Sequence, residues 1–365
     1  MRIGIMTFPN TTSYGAALQM YGLYRSVEQA GAEAEIINYQ NPYMKARRHT
    51  SAIQKRSGIA GRMRLWATNV LHMRQTLGFR KFEKNMVRHP GKAVDDAAEL
   101  PEIAKRYDGV ICGSDQVWNP NITDTDLSYF LNFCGPGTKR IAYAPSFGVS
   151  QFSDDFVAKI RPELARFEHL SVREKDGAQM VEALLDRQVA TVLDPTFLIP
   201  GEEWIKLEKA HPLAGGKYVL YFPVRKSEAL LRFSRELARK RNVKLIVAEG
   251  NFLRQLRNED ADVKYALDLS PEEWLNLVHH ADCVVTNSFH GAAFAIHYQK
   301  DFYLELSSKT NSRLVQLMEI TGLEHRVVRD GCARWDEHID YSAVEERIAP
   351  ARNASLDYLK QSIWK

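Results

Sequence analysis

Short apolar runs with polar exits recur along the chain and alternate with stretches of helical spacing. Residues 2–6 place Ile3 and Ile5 in a strand, residues 7–14 form a polar loop, and residues 15–30 read as a helix with Leu18, Tyr21 and Val27 on one side. Gly31 ends that helix and residues 35–39 supply a second strand, a unit of the kind that builds parallel sheets. The alternation continues with a helix ending at Arg106, strands over 108–112 and 139–144, and a helix over 154–167 kinked near Pro162. A strand over 169–172, a helix over 174–184 and a strand over 189–193 complete this half.

Three prolines and Gly201 between Pro195 and Pro212 mark a crossing to a second series. Strands are expected at 217–222, 243–248, 263–267, 282–285 and 302–304, with helices at 227–240, after Ser270, at 291–298 and at 311–320. The tail reads as helical from Tyr341, interrupted at Pro350, and resumes over 355–363. The expected fold is α/β: two facing Rossmann-like parallel-sheet domains over 1–195 and 205–330, with a tail over 340–365 crossing back to the first.

Polar residues gather where strands empty. Thr286-Asn287-Ser288-Phe289-His290-Gly291 follows the 282–285 strand and opens a helix, so uncompensated backbone N–H groups point beyond the strand's carboxyl end. With Ser288 and His290 added, these amides make an anion cradle in which His290 carries a proton; a plain N-cap and a water-facing helix start fit the pattern equally. After the first strand, Asn10, Ser13 and Tyr14 read as substrate contacts or as caps and turns, and the glycine spacing of a dinucleotide fingerprint is missing. Gly113 permits close backbone approach, Ser114, Asp115 and Gln116 follow it, and Trp118 reads as a pocket wall, with a capped turn as the rival. Arg173, between strand and helix, suits a grip on phosphate or carboxylate, or an ion pair with Glu174 or Asp176. Lys309, Asn311 and Arg313 either complete a positive rim around His290 or stay solvated.

Charge singles out one segment. Between Lys45 and Arg88 stand twelve Lys or Arg against the single acid Glu83, within a chain of net charge +4. The basic helical insert over 45–90 carries Ile59, Met63, Trp66, Val70, Met73 and Leu77 at helical spacing, with Arg62, Arg64 and Arg74 off that stripe. Such a helix either packs on its own protein or leans on an anionic membrane near the acceptor entrance. A nucleic-acid partner is not expected, because stacking aromatics are not interleaved across a broad basic face. At 365 residues and 45% hydrophobic, the chain is a two-domain globular protein, and no apolar run nears the length of a spanning helix. A cytoplasmic location, with peripheral contact at the inner face of the membrane, is the expectation. Cys112, Cys134, Cys283 and Cys332 match no zinc pattern and are expected as free thiols, with no metal or cofactor.

These stretches together resemble the polysaccharide pyruvyltransferase family. The resemblance rests on Ser13-Tyr14-Gly15-Ala16-Ala17-Leu18-Gln19, Gly113-Ser114-Asp115-Gln116-Val117-Trp118-Asn119, Ser171-Val172-Arg173-Glu174, Val192-Leu193-Asp194-Pro195 and Thr286-Asn287-Ser288-Phe289-His290-Gly291. It implies the two-domain glycosyltransferase (GT-B) architecture. It also implies transfer of the carbon skeleton of phosphoenolpyruvate onto two sugar hydroxyls as a cyclic ketal, in cell-envelope or capsule assembly. The acceptor it implies is a saccharide, lipid-linked or nucleotide-linked. By that resemblance Arg173 and His290 belong to the donor-anion site; from their own positions Asn287, Ser288, Gly291 and Arg313 are expected beside them. Asp115 is the expected acceptor-side base and Asp194 its rival. The alternative is a nucleotide-sugar glycosyltransferase of the same fold; a glycan-binding protein without turnover is a third class.

Overall fold

The computed structural model describes residues 1–46, 59–89, 92–248, 262–306, 312–329 and 338–365, the side chains of 59–72 excepted. Lys309, Asn311, Cys332 and the side chains of Arg62 and Arg64 lie outside the described residues. Two compact units emerge: the first gathers Met1–Gly58, Glu83–Ile199 and Ala349–Lys365, the second Ile59–Phe82 and Pro200–Ile348.

The first unit holds strands β1 (Arg2–Met6), β2 (Glu33–Ile36), β3 (Gly109–Cys112), β4 (Lys139–Ala142), β5 (His169–Val172) and β6 (Ala190–Thr191). They form one parallel sheet in the order β2-β1-β3-β4-β5-β6, with Ile5 opposite Ile36 on one side and Ile111 on the other. The strand order reverses between β1 and β3, so their carboxyl ends frame a switch point, where open α/β sheets bind ligands. β2 leaves the sheet before the expected residue 39 because Gln40 and Asn38 exchange backbone hydrogen bonds with Val94 instead.

The second unit holds β7 (Tyr218–Phe222), β8 (Lys244–Val247), β9 (Val263–Tyr265), β10 (Cys283–Thr286), β11 (Asp301–Glu305) and β12 (Val327–Val328), parallel in the order β12-β11-β10-β7-β8-β9. β7 and β10 are wholly buried, as sheets covered by helices on both faces require. Here the switch point falls between β7 and β10.

Two expectations are corrected. The tail is one helix, Tyr341–Trp364, continuous through Pro350. A proline removes one backbone donor, and buried Ile348 before it and Leu359 and Ile363 after it hold the helix in line. The helix of the basic insert runs Ile59–Met86, beyond the end of the apolar stripe at Leu77, and its residues through Phe82 group with the second unit. Of the expected apolar stripe, the side chains of Ile59, Met63, Trp66 and Val70 lie outside the described residues, whereas Met73 and Leu77 are exposed and Phe79 and Phe82 are buried. Arg74 does not stand free for lipid; it bonds Asp268 at 3.0 Å and Glu273 at 2.8 Å. No helix among the described residues is long and apolar enough to cross a membrane.

Cys112, Cys134 and Cys283 are buried free thiols. Burial pushes Cys134 and Cys283 up to about 12, which removes the thiolate needed for reaction.

Candidate functional site

In the second unit the residues after β10 form a fixed turn. Thr286 donates its hydroxyl to the Phe222 carbonyl at 2.5 Å and accepts from the Ser288 amide at 3.0 Å. Ser288 then caps the nine-residue Phe289–His297 helix, its Oγ accepting from the Gly291 amide at 3.3 Å. Asn287 ties the two strand exits of the switch point together. Its Oδ1 accepts from the Val224 and Arg225 amides at 2.9 and 3.3 Å, and its Nδ2 donates to the Arg225 carbonyl at 2.8 Å. Asn287, Ser288 and His290 are all buried, His290 being 8% exposed, in the first turn where helix amides lack internal partners. Arg313 stands in the first turn of the Ser312–Thr321 helix, after the neighbouring strand β11.

Gly291 has a steric reason to be glycine. A Cβ there would meet Thr286 Oγ1 at 2.5 Å and the Phe222 ring at 3.1 Å, and that hydroxyl already holds two bonds. Gly291→Ala is expected to lose about 1–3 kcal/mol in urea unfolding, the cost of overpacking; an unchanged midpoint would mean the turn is free to move.

In the first unit the exits of β1, β3, β5 and β6 bring the other expected residues to one edge of one sheet. Gln19 donates to Thr7 Oγ1 at 3.1 Å, and Thr7 donates to the Ser114 carbonyl at 3.3 Å, which joins β1 to β3. Tyr14 opens the Tyr14–Gln29 helix, capped by Ser13. Asn10 adopts φ 54° and Asp115 φ 77°, left-handed backbone that disfavours residues with a Cβ. Asn10 donates its amide to Glu83 and its side chain to Asn38, so its first role is to shape the loop. Asp115 is half-buried, with Oδ1 accepting from the Gln116 amide at 2.8 Å and its carbonyl from the Ser146 amide at 2.8 Å. A strained, pinned carboxylate at a strand exit suits a group that must hold its direction. Gln116 accepts from Asn119 Nδ2 at 2.7 Å.

Three assignments change. Trp118 is no pocket wall: it is fully buried, stacks on Phe130 at 5.0 Å and donates Nε1 to the Tyr129 carbonyl. Gly113 serves close packing, since a Cβ there would press on Leu23 and Thr7 at 3.1 and 3.3 Å. Arg173 is 3% exposed and its charge is committed, to Asp194 Oδ2 at 2.6 Å and Glu174 Oε1 at 3.6 Å, with Ser114 Oγ at 3.5 Å. Burial opposes the guanidinium charge, and Glu174, Asp194 and Asp115 together outweigh it, holding the group above its usual range. Asp194 is equally occupied, its Oδ1 accepting from the amide and hydroxyl of Thr196. Arg173 thus positions three strand exits and Asp194 closes a turn, leaving Asp115 as the carboxylate with the lighter structural load. Glu174, expected as an ion-pair partner of Arg173, also accepts from Ser146 inside this network; pattern reading missed Ser146 and Arg225, an exposed cation at the β7 exit.

The chain belongs to the polysaccharide pyruvyl transferase family, whose match spans residues 14–304. A search among curated proteins finds no match. Among solved structures it is similar to a putative UDP-N-acetylglucosamine 2-epimerase from Listeria monocytogenes, with 10% identity and TM-score 0.55 over 99% of this chain and 90% of that one. It is also similar to S. aureus MnaA with UDP, with 12% identity and TM-score 0.51 over 99% and 90%. At such identities the likeness is one of fold. Two separate parallel sheets, each flanked by helices, are the two-domain α/β architecture of the GT-B class.

Proposed function

We propose that this protein transfers pyruvate from phosphoenolpyruvate to a saccharide as a cyclic ketal, in cell-envelope or capsular polysaccharide biosynthesis. The observation that carries the proposal is the Thr286–Gly291 turn, a capped helix start with a buried histidine at the switch point of the second sheet. Phosphoenolpyruvate brings a phosphate and a carboxylate. The first-turn amides, the Ser288 hydroxyl, Arg225 and Arg313 are donors suited to them. His290 supplies the proton that turns the methylene carbon into a methyl, or holds the leaving phosphate.

In the proposed reaction, one sugar hydroxyl adds to the central carbon as the methylene takes up a proton. The second hydroxyl then displaces phosphate from the same carbon, and its proton leaves with that phosphate. Asp115 takes the hydroxyl proton. Arg173 acts through the carboxylates it holds. The acceptor is a saccharide, lipid-linked or nucleotide-linked.

The test is incubation with phosphoenolpyruvate and a panel of lipid-linked and nucleotide-linked galactose, mannose and N-acetylhexosamine acceptors, with mass spectrometry of the product. A gain of one pyruvate less one water, with release of phosphate, is expected. A hexosyl gain from a nucleotide sugar would select the glycosyltransferase instead, and binding without any product would leave a glycan-binding protein.

A further inference from the structure

Away from these strand exits, three metal-binding side chains of the second unit converge. His279 is the last residue of the Pro271–His279 helix and His280 its C-cap, while Glu208 follows the short Gly201–Ile205 helix. This helix end immediately precedes the start of β10, so the cluster sits at the amino edge of the sheet, opposite the edge that carries His290. A carboxylate oxygen and one nitrogen of each histidine lie within 4.8 Å of one another. Nδ1 of His279 is 2.9 Å from Glu208 Oε1, and Nδ1 of His280 is 3.9 Å from Oε2.

The arrangement gathers ligand-type groups around one buried carboxylate. The Glu208 side chain is 8% exposed, with His279 Nδ1 at 2.9 Å from Oε1 and the Tyr298 hydroxyl and Lys300 ammonium close by. A carboxylate this deep is stabilised by positive charge beside it, which a bound cation would add to. Its direction is nevertheless fixed from behind. Asn276 Nδ2 donates to Glu208 Oε2 at 3.0 Å while Asn276 Oδ1 accepts from the His211 amide at 3.0 Å, so the amide is held at both ends. The His279 ring is held as well, stacked on Tyr298 at 4.6 Å.

We propose that Glu208, His279 and His280 bind a divalent transition metal, zinc by preference, with water completing the coordination. Two imidazoles and a carboxylate are a donor set zinc takes with one position open, and the hydrogen bond from Asn276 to the carboxylate is of the kind that supports such ligands. Donor atoms around one tetrahedral zinc stand about 3.3 Å apart, given bonds near 2.0–2.2 Å. The His279 and Glu208 atoms, 2.9 Å apart, would part slightly to admit the ion. The half-exposed His280 closes the rest by turning its ring, giving up its 3.0 Å contact with the Asn276 carbonyl. The ion would pin the segment carrying Glu208 to the end of the Pro271–His279 helix, a structural role at the edge of the sheet away from His290.

The full chain, stripped with chelator, is titrated with zinc by equilibrium dialysis and followed by thermal unfolding. One zinc per chain and a raised unfolding midpoint are expected. His280→Gln, at an exposed position that folding does not need, should weaken binding at least tenfold, and Glu208→Gln should abolish it. Asn276→Ala keeps all three ligands and should weaken binding about 10–100-fold, the effect of losing the hydrogen bond that holds the Glu208 carboxylate in place. Zinc binding by His280→Gln equal to that of the unaltered protein would overturn the proposal. So would no binding by either, which would leave an acid and two histidines latched without metal.

Discussion

His290→Ala is expected to lower ketal formation from phosphoenolpyruvate by about 10²–10⁴-fold, the range contributed by a positioned acid or base. The side chain sits in the first turn of the Phe289–His297 helix, where alanine is a good helix former and Ser288 still caps. Folding should therefore survive, and the loss should be one of function. Two further measurements divide the roles of His290. If it delivers the proton, phosphoenolpyruvate binding stays near that of the unaltered protein while kcat falls, and His290→Gln fares no better than alanine. If it holds phosphate, KM for phosphoenolpyruvate rises and His290→Gln recovers part of the loss. Turnover near that of the unaltered enzyme in His290→Ala would remove this residue from the site.

Arg173→Ala should cost about 3–5 kcal/mol of stability, the penalty for removing one member of a buried ion pair. The substitution leaves Asp194, whose side chain is 0% exposed, without its cation, and Glu174 beside it at 6%. Lysine will not substitute well, because the guanidinium reaches Asp194 and Ser114 with Nη1 and Glu174 with Nε of one planar group. Removing both charges should be gentler: Arg173→Met with Asp194→Asn is expected to be more stable than Arg173→Met alone. Urea unfolding of the three proteins decides this, and a loss below about 1 kcal/mol in Arg173→Ala, a surface-pair value, would sink it.

What the chain makes legible is local. The run ending Val284-Val285-Thr286 and the serine at 288 announce a buried strand and a capped helix, and both form within a residue or two of where the pattern puts them. Ser270 likewise announces a capped helix, and there it forms a capping box with Glu273, both hydrogen bonds made. Partners far along the chain are what pattern reading loses. Nothing near Trp118 tells that Phe130, Phe147 and Phe167 will enclose it, and a tryptophan between polar residues then looks like a wall. Arg173 offers Glu174 and Asp176 as neighbours, whereas its shortest ion pair is with Asp194 at the end of another strand. Glu208 and His279 are distant in sequence and show no ligand spacing. Arg225 was within reach, since it follows a strand as His290 does; its bond to Asn287 is what marks it.

The last helix has a consequence for the order of events during synthesis. From Ala349 onward its residues belong to the unit built from the start of the chain. There Ser355 Oγ accepts from the Leu193 amide, Tyr358 donates to the Ala142 carbonyl and Trp364 donates to the Ala30 carbonyl. Ile363 is 0% exposed. Domains generally fold as units as they leave the ribosome, amino-terminal first. This one lacks part of its core until residues 349–365 have been made, so the second unit, whose residues run through Ile348, has all of its chain first. A ribosome stalled just after Ile348 should thus carry a nascent chain whose early strands remain open to protease.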